Sequence, residues 1–284
     1  MIIDGRAIAS DILARVRNEL TSASNHRGET SMIADGSELV VRAVVVQPTG
    51  ATESYLRVKS ARAEDAGMRM EIVQLPDTAT TEEVRAAVLA PGADSVIVQL
   101  PLPASIDTRV VLDAIPLDKD ADVLSQKSYE HFESGALDAL LPPVVGAIKE
   151  VLARTNTTLV GKRVVVVGRG RLVGQPASVW LAAQGADVHV ITRESENLSE
   201  LASADIIVSG AGVPHLITPD LVKEGVVLID AGTSESNGAI AGDAHPDCAS
   251  VASVFTPVPG GMGPIAVACL FQNVSTLVLR MHQL

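Results

Sequence analysis

The chain has 284 residues, room for one large domain or two of ordinary size, and two are expected. Its formal net charge of −12 argues against nucleic acid or an anionic membrane as a partner, although local arginines and lysines can still take a small anion. Two cysteines give no disulfide framework and suit a reducing cytosol, no basic-then-apolar leader opens the chain, and no apolar run is expected to span a membrane, so a soluble cytoplasmic protein is predicted.

Residues 7–20 alternate apolar and polar positions at helical spacing, with Ile8, Ile12, Leu13 and Val16 on one face. After a polar connection at 25–37, the pattern predicts a strand at 39–47, a helix at 52–66 ended by Gly67, and a second strand at 70–75. The unit then repeats, with a helix at 81–89, a strand at 95–99 and a helix at 108–115. Such alternation implies a parallel sheet whose ligand edge lies beyond the carboxyl ends of its strands. Three features sit there. Tyr55 and Lys59 are four apart on one helix face, a spacing that lets them meet at one site but that also serves simply to cover a helix surface. Gln99 closes the third strand before Leu100-Pro101-Leu102-Pro103, which leaves its amide at the rim. Asp118-Lys119-Asp120-Ala121-Asp122 is a charge run, by default a solvated loop, able to present one carboxylate to a ligand.

Pro142-Pro143 marks a boundary before an amphipathic helix carrying Ile148, Val151 and Leu152. Val164 to Val167 then reads as a buried strand, and Gly168, Gly170 and Gly174 follow in a turn that opens a helix with Pro176 in its first turn. That arrangement is the physical basis of pyrophosphate binding in dinucleotide folds, although the G-x-G-x-x-x-G spacing alone also fits other strand-to-helix turns. Strands are expected at 187–191, 205–209 and 226–230. After the second of this half's strands the chain reads Thr192-Arg193-Glu194-Ser195, where Arg193 and Ser195 can hold a 2′-phosphate and Glu194 keeps NAD open. Thr256-Pro257-Val258-Pro259-Gly260-Gly261-Met262-Gly263-Pro264 is too rigid and glycine-rich for a strand or helix interior, and leads either past a flat ligand or simply into a final helix at 265–281.

Taken together, Tyr55-x-x-x-Lys59, Val98-Gln99-Leu100-Pro101-Leu102-Pro103, Asp118-Lys119-Asp120-x-Asp122, Gly168-x-Gly170-x-x-Val173-Gly174-x-Pro176 and Thr256-Pro257-Val258-Pro259-Gly260-Gly261 resemble the bifunctional methylenetetrahydrofolate dehydrogenase/methenyltetrahydrofolate cyclohydrolase family. The order matches from Ile3-Asp4-Gly5 to the last helix. The resemblance implies an α/β protein with an N-terminal catalytic, folate-binding domain over 1–141 completed by helix 265–284, a Rossmann-like NADP-binding domain over 142–264, a cleft between them, and a homodimer. It implies Lys59 as the central catalytic group, Tyr55 orienting the substrate, Gln99 bonded to the lysine and Asp122 holding the pterin, with Leu100, Pro259, Gly260 and Gly261 lining the folate site. The cofactor positions become Gly168, Arg169, Gly170, Val173, Gly174, Arg193, Ser195 and Thr233, with NADP favoured over NAD and no metal required.

Four departures stand out: Gly170 replaces a usual serine, Val123 a usual glycine, Pro143-Val144-Val145 a usual Cys-Thr-Pro, and Ala266 a frequent threonine. None removes a catalytic side chain, but a β-branched Val123 resists a positive φ and threatens to displace Asp122. The chemistry implied is hydride transfer from 5,10-methylenetetrahydrofolate to the nicotinamide, then attack of water on the methenyl carbon to give 10-formyltetrahydrofolate, with Lys59 as proton carrier. Two other readings remain at this point: a relative that binds folate and NADP with one or both activities lost, and a different NAD(P)-dependent oxidoreductase.

Overall fold

A computed structural model describes residues 1–25, 39–48, 50–192, 198–236 and 239–281. Beyond Asn25, the expected polar connection lies outside the described residues, as do Arg193, Glu194 and Ser195. The chain forms two compact units, one of Met1–Ala9 with Pro142–Cys269 and one of Ser10–Leu141 with Leu270–Leu284. Helices α1 (Gly5–Asn25) and α8 (Met262–Met281) each contribute residues to both.

In the three-stranded unit, β1 (Leu39–Val46), β2 (Met68–Leu75) and β3 (Ser95–Val98) pair in parallel in the order β2-β1-β3. Central β1 is buried at all but one position, as expected for a near-continuous β-branched run with neighbours on both sides, whereas edge strand β2 is much more exposed. Arg42 of β1 is buried despite its charge, because its guanidinium reaches Glu71 Oε2 at 2.7 Å and the carbonyl of Pro91 at 3.0 Å. The crossovers are α2 (Gly50–Asp65) and α3 (Thr81–Leu89), the latter started by a reciprocal cap between Thr80 and Glu83. Val84, Val88, Val96, Val98, Val111 and Leu112 fill the core on one face. Helix α4 (Thr108–Leu112) stops three residues earlier than its pattern suggests, where Asp113 caps it back to the carbonyl of Arg109. A short helix that the sequence reading left unassigned follows as α5 (Gln126–Glu133), with Ser125 accepting from the Ser128 N–H.

In the five-stranded unit, β4 (Arg163–Val167), β5 (Asp187–Ile191), β6 (Ile206–Ser209), β7 (Val227–Asp230) and β10 (Val254–Phe255) pair in parallel in the order β10-β7-β6-β4-β5. The chain leaves β4 towards one edge through β5 and returns to build the other side from β6 onward, so the strand order reverses beyond the carboxyl end of β4. Pro143 occupies the first turn of α6 (Pro143–Arg154), where a missing N–H costs nothing, and α7 (Gly174–Ala183) crosses from β4 to β5. A two-stranded ribbon of β8 (Ser234–Ser236) and β9 (Ala239–Ala241) had no counterpart in the sequence reading.

Helix α8 corrects one expectation. By length and composition it is apolar enough to cross a membrane, with a mean hydropathy of 1.6, because Gln272, Asn273, Ser275 and Thr276 interrupt the run without bringing its average down to that of a polar helix. Most of it is buried within the protein, Ile265, Phe271, Val274 and Val278 completely, as in the core helix of a folded domain.

Candidate active site

Both sheets put their chemistry at carboxyl ends of strands. In the three-stranded unit the backbone N–H of Gln99 continues the ladder onto the carbonyl of Val44 at 2.9 Å, which fixes where its side chain starts. Its Oε1 accepts from Lys59 Nζ at 3.1 Å and its Nε2 donates to the carbonyl of Leu100 at 2.9 Å. The amide orientation follows from its partners, since an ammonium can only donate and a carbonyl can only accept. Lys59 is half-buried, and Tyr55, one turn earlier on α2, is exposed.

Asp122 is the third member. Desolvation raises its carboxyl above the usual range, the Lys59 ammonium pulls it back down, and the Asp120 carboxylate pushes it up further. Lys59 therefore acts on both Gln99 and Asp122 within one unit. The loop that carries Asp122 is far from a solvated charge run. Lys119 Nζ donates to the carbonyl of Ala93 at 2.6 Å, and the Ser95 hydroxyl donates to the carbonyl of Lys119 at 2.8 Å. Buried Asp120 accepts from the N–H groups of Leu124 and Ser125 at 3.0 and 2.8 Å, and Asn273 of α8 donates to the carbonyls of Ala121 and Leu141, each at 2.8 Å. Val123 takes the left-handed conformation, φ 56°, with its side chain buried, so the loop accommodates the strain that a β-branched residue brings there. Sequence reasoning missed Asp120 and Asn273; the adjacent amides Gln272 and Asn273 in the middle of a largely apolar helix were the available signal for the second.

In the five-stranded unit the glycines of the turn after β4 have different tasks. At Gly168, φ is +96° and a Cβ would meet the carbonyl oxygen of Gly210 at 2.8 Å; at Gly174 it would collide with the carbonyl of Gly168. At Gly170 it would meet nothing within 4 Å, so a serine there would fit and the space beside the turn is open. The resulting backbone cradle at the start of the ten-residue α7 suits a diphosphate. Val173 packs against Gly210, whereas Arg169, Gly170 and Thr233 are exposed, Thr233 on the loop after β7.

The proline-glycine loop at 256–264 is fixed from two sides. Thr256 Oγ1 accepts from the N–H of Asp230 at 2.7 Å, and Gly5 donates to the carbonyl of Gly260 at 2.9 Å, an approach that only glycine at position 5 permits. Gly260 has φ +104°, and the Val258–Pro259 and Leu100–Pro101 bonds are cis. Beneath this loop Asp230 and Asp243 are both buried, and desolvation pushes the Asp230 carboxyl up to about 7.

Comparison with known proteins identifies the family. The tetrahydrofolate dehydrogenase/cyclohydrolase catalytic domain matches residues 3–122, and the NAD(P)-binding domain of the same family matches residues 142–282. A protein named bifunctional protein FolD from Lacticaseibacillus paracasei is 36% identical, over 98% of this chain and 97% of its own, and one of the same name from Staphylococcus aureus is 36% identical over 96% and 94%. Among solved structures, the bifunctional FolD dehydrogenase/cyclohydrolase of Campylobacter jejuni superposes with a TM-score of 0.90 at 27% identity, covering 99% of each chain. The Trypanosoma brucei enzyme, solved with NADP and an inhibitor, gives a TM-score of 0.90 at 30% identity over 100% and 99%. With both domains matched in order along one chain, this protein belongs to the tetrahydrofolate dehydrogenase/cyclohydrolase family.

Proposed function

We propose that the two activities of this chain, oxidation of 5,10-methylenetetrahydrofolate to 5,10-methenyltetrahydrofolate and hydrolysis of the latter to 10-formyltetrahydrofolate, are served by Lys59, Gln99 and Asp122, with Tyr55 orienting the substrate. The observation that carries this reading is the 3.1 Å bond from Lys59 Nζ to Gln99 Oε1, made while Lys59 also acts on the carboxyl of Asp122. Gln99 aims the lysine, and Asp122 supplies a carboxyl to the polar edge of the pterin. In the hydrolytic step Lys59 takes a proton from water as it adds to the methenyl carbon, then gives one to N5 as the bond from N5 to that carbon breaks, and the remaining proton leaves to solvent. Folate contacts by Leu100, Pro259, Gly260 and Gly261 belong to the same proposal and rest on the family resemblance.

NADP, when bound, accepts the hydride. The turn from Gly168 to Gly174 would hold its diphosphate, helped by Arg169 and Val173, with Thr233 contributing from the loop beyond β7 and Arg193 and Ser195 reading the 2′-phosphate. The Arg193 and Ser195 assignment comes from the sequence, and the ratio of kcat/KM for NADP over NAD measures it. The domain roles are likewise proposed, with residues 1–141 and the last helix as the folate half and 142–264 as the cofactor half. So are a homodimer, which sedimentation measures, a role feeding purine biosynthesis, and a cytoplasmic location, which the buried Cys248 and Cys269 suit.

Lys59→Met tests the mechanism. Methionine keeps length and apolar bulk and suits a helix, so the fold should survive. Cyclohydrolase activity should be abolished while dehydrogenase activity falls to a different degree. Wild-type hydrolysis rates in that variant would remove Lys59 from the chemistry.

A further inference from the structure

Asp243 stands outside every role assigned so far, yet it is fully buried and bonded on all sides. Its Oδ2 accepts from the Ser209 hydroxyl at 2.6 Å and the Ala211 N–H at 2.7 Å, and its Oδ1 accepts from the Val213 N–H at 2.8 Å. Three donors come from one short segment, the end of β6 and the loop at 210–213 that follows. That loop is a wall of the cofactor turn: Gly168 leaves no room for a Cβ because Gly210 and Ala211 lie against it, and the Val173 side chain packs on Gly210. Because the strand order reverses at β4, the loops beyond β4 and beyond its neighbour β6 flank the crevice where a dinucleotide binds in such sheets. Asp243 also touches the next loop. Gly232, just before Thr233, has no space for a Cβ because the Asp243 carboxyl occupies it.

We infer that Asp243 is a positioning residue for the cofactor, a buried carboxylate that fixes the loops after β6 and β7 against the glycine turn so that NADP meets a preformed wall. The inference rests on the reading that this unit binds NADP at that turn, and it assigns no contact between Asp243 and the cofactor. The physical reason for a carboxylate is donor count. An amide at this position offers one acceptor oxygen and a donor NH2 group, so the N–H of either Ala211 or Val213 would face a donor and lose its partner in a dry interior. A loop that must find other partners is held less firmly, and the cofactor then meets the cost of ordering it on binding.

Asp243→Asn and Ser209→Ala, the latter deleting a single bond to the carboxylate, test the inference through three measurements on the whole protein: NADP affinity by titration, NADP and NAD KM, and hydrolysis of supplied methenyltetrahydrofolate, which needs no dinucleotide. Expected for Asp243→Asn is about a tenfold loss of affinity for both dinucleotides, with a smaller loss of the same kind for Ser209→Ala and hydrolysis unchanged in both. A folded Asp243→Asn protein with wild-type NADP affinity overturns the inference, as does a parallel fall of both activities, which marks a merely structural residue. If Asp243→Asn does not fold, Ser209→Ala decides, and unchanged NADP KM in that variant is a refutation. Wild-type protein that binds no NADP would instead defeat the underlying reading and this inference with it.

Discussion

Val123 shows how a single position reports on its surroundings. Its φ of 56° is a conformation that β-branched residues avoid, at a cost on the order of 1–3 kcal/mol, and it is held there by the bonds that Asp120 accepts from the next two N–H groups. Burial of the valine side chain offsets this by roughly 1.5–3 kcal/mol. Val123→Gly should therefore change stability by less than about 1 kcal/mol, because lost packing and relieved strain oppose each other, whereas Val111→Gly, buried in a helix, should cost several. Denaturant titration of the two variants compares them directly, and equal losses would mean that Val123 carries no strain. The sequence made this residue conspicuous because a glycine usually stands there; it left open whether the loop or the carboxylate would yield. That outcome depends on Asp120 and Asn273, whose partners lie in backbone the sequence does not bring near.

Elements were legible where the pattern was local. Strands β1, β3, β4, β5, β6 and β7 fall within a residue or two of their apolar runs, and α3 falls on its predicted bounds, fixed by its capping box. The short α5 and the ribbon of β8 and β9 were not, since α5 is largely polar and the ribbon is two three-residue strands. The turn between β4 and α7 gives the sharpest test at this scale, for three glycines in one motif carry different constraints. Gly174→Ala should lower the melting temperature by about 5 °C or more and weaken NADP binding, because the added carbon runs into the carbonyl of Gly168 and the backbone must move. Gly170→Ser, in open space and without a positive φ, should leave both within error. If the two variants behaved alike, the distinction drawn between these glycines would be wrong.

At the scale of the molecule, pH acts through buried carboxylates. Asp230 holds its proton to about pH 7 in the native protein but releases it near 3.8 when unfolded, so the folded state binds the extra proton between those values. Its contribution to stability is present at the acid end of that window and is lost as pH rises through 7, amounting to about 1 kcal/mol between pH 6 and pH 8. Asp122, also raised, works in the same direction, whereas the lowered Asp205 acts only in stronger acid. The melting temperature should rise by a few degrees on going from pH 8 to pH 6, and Asp230→Asn should remove much of that slope. A melting temperature that falls over the same interval would show that Asp230 is ionised in the folded protein. None of this was readable from the net charge, which counts Asp230 and Asp243 with the surface acids; strand order and the burial they share are tertiary facts.

The chain crosses between its two units near both of its ends, and this bears on the order in which it is made. Phe255 donates its N–H to the carbonyl of Met1 and accepts from the N–H of Ile3, so Met1 and Ile3 wait during synthesis for a partner some 250 positions behind them. The three-stranded unit waits as well, for Leu270 onward. Neither unit has all of its residues until α8 is made, so the fold is completed late in synthesis rather than one domain after the other.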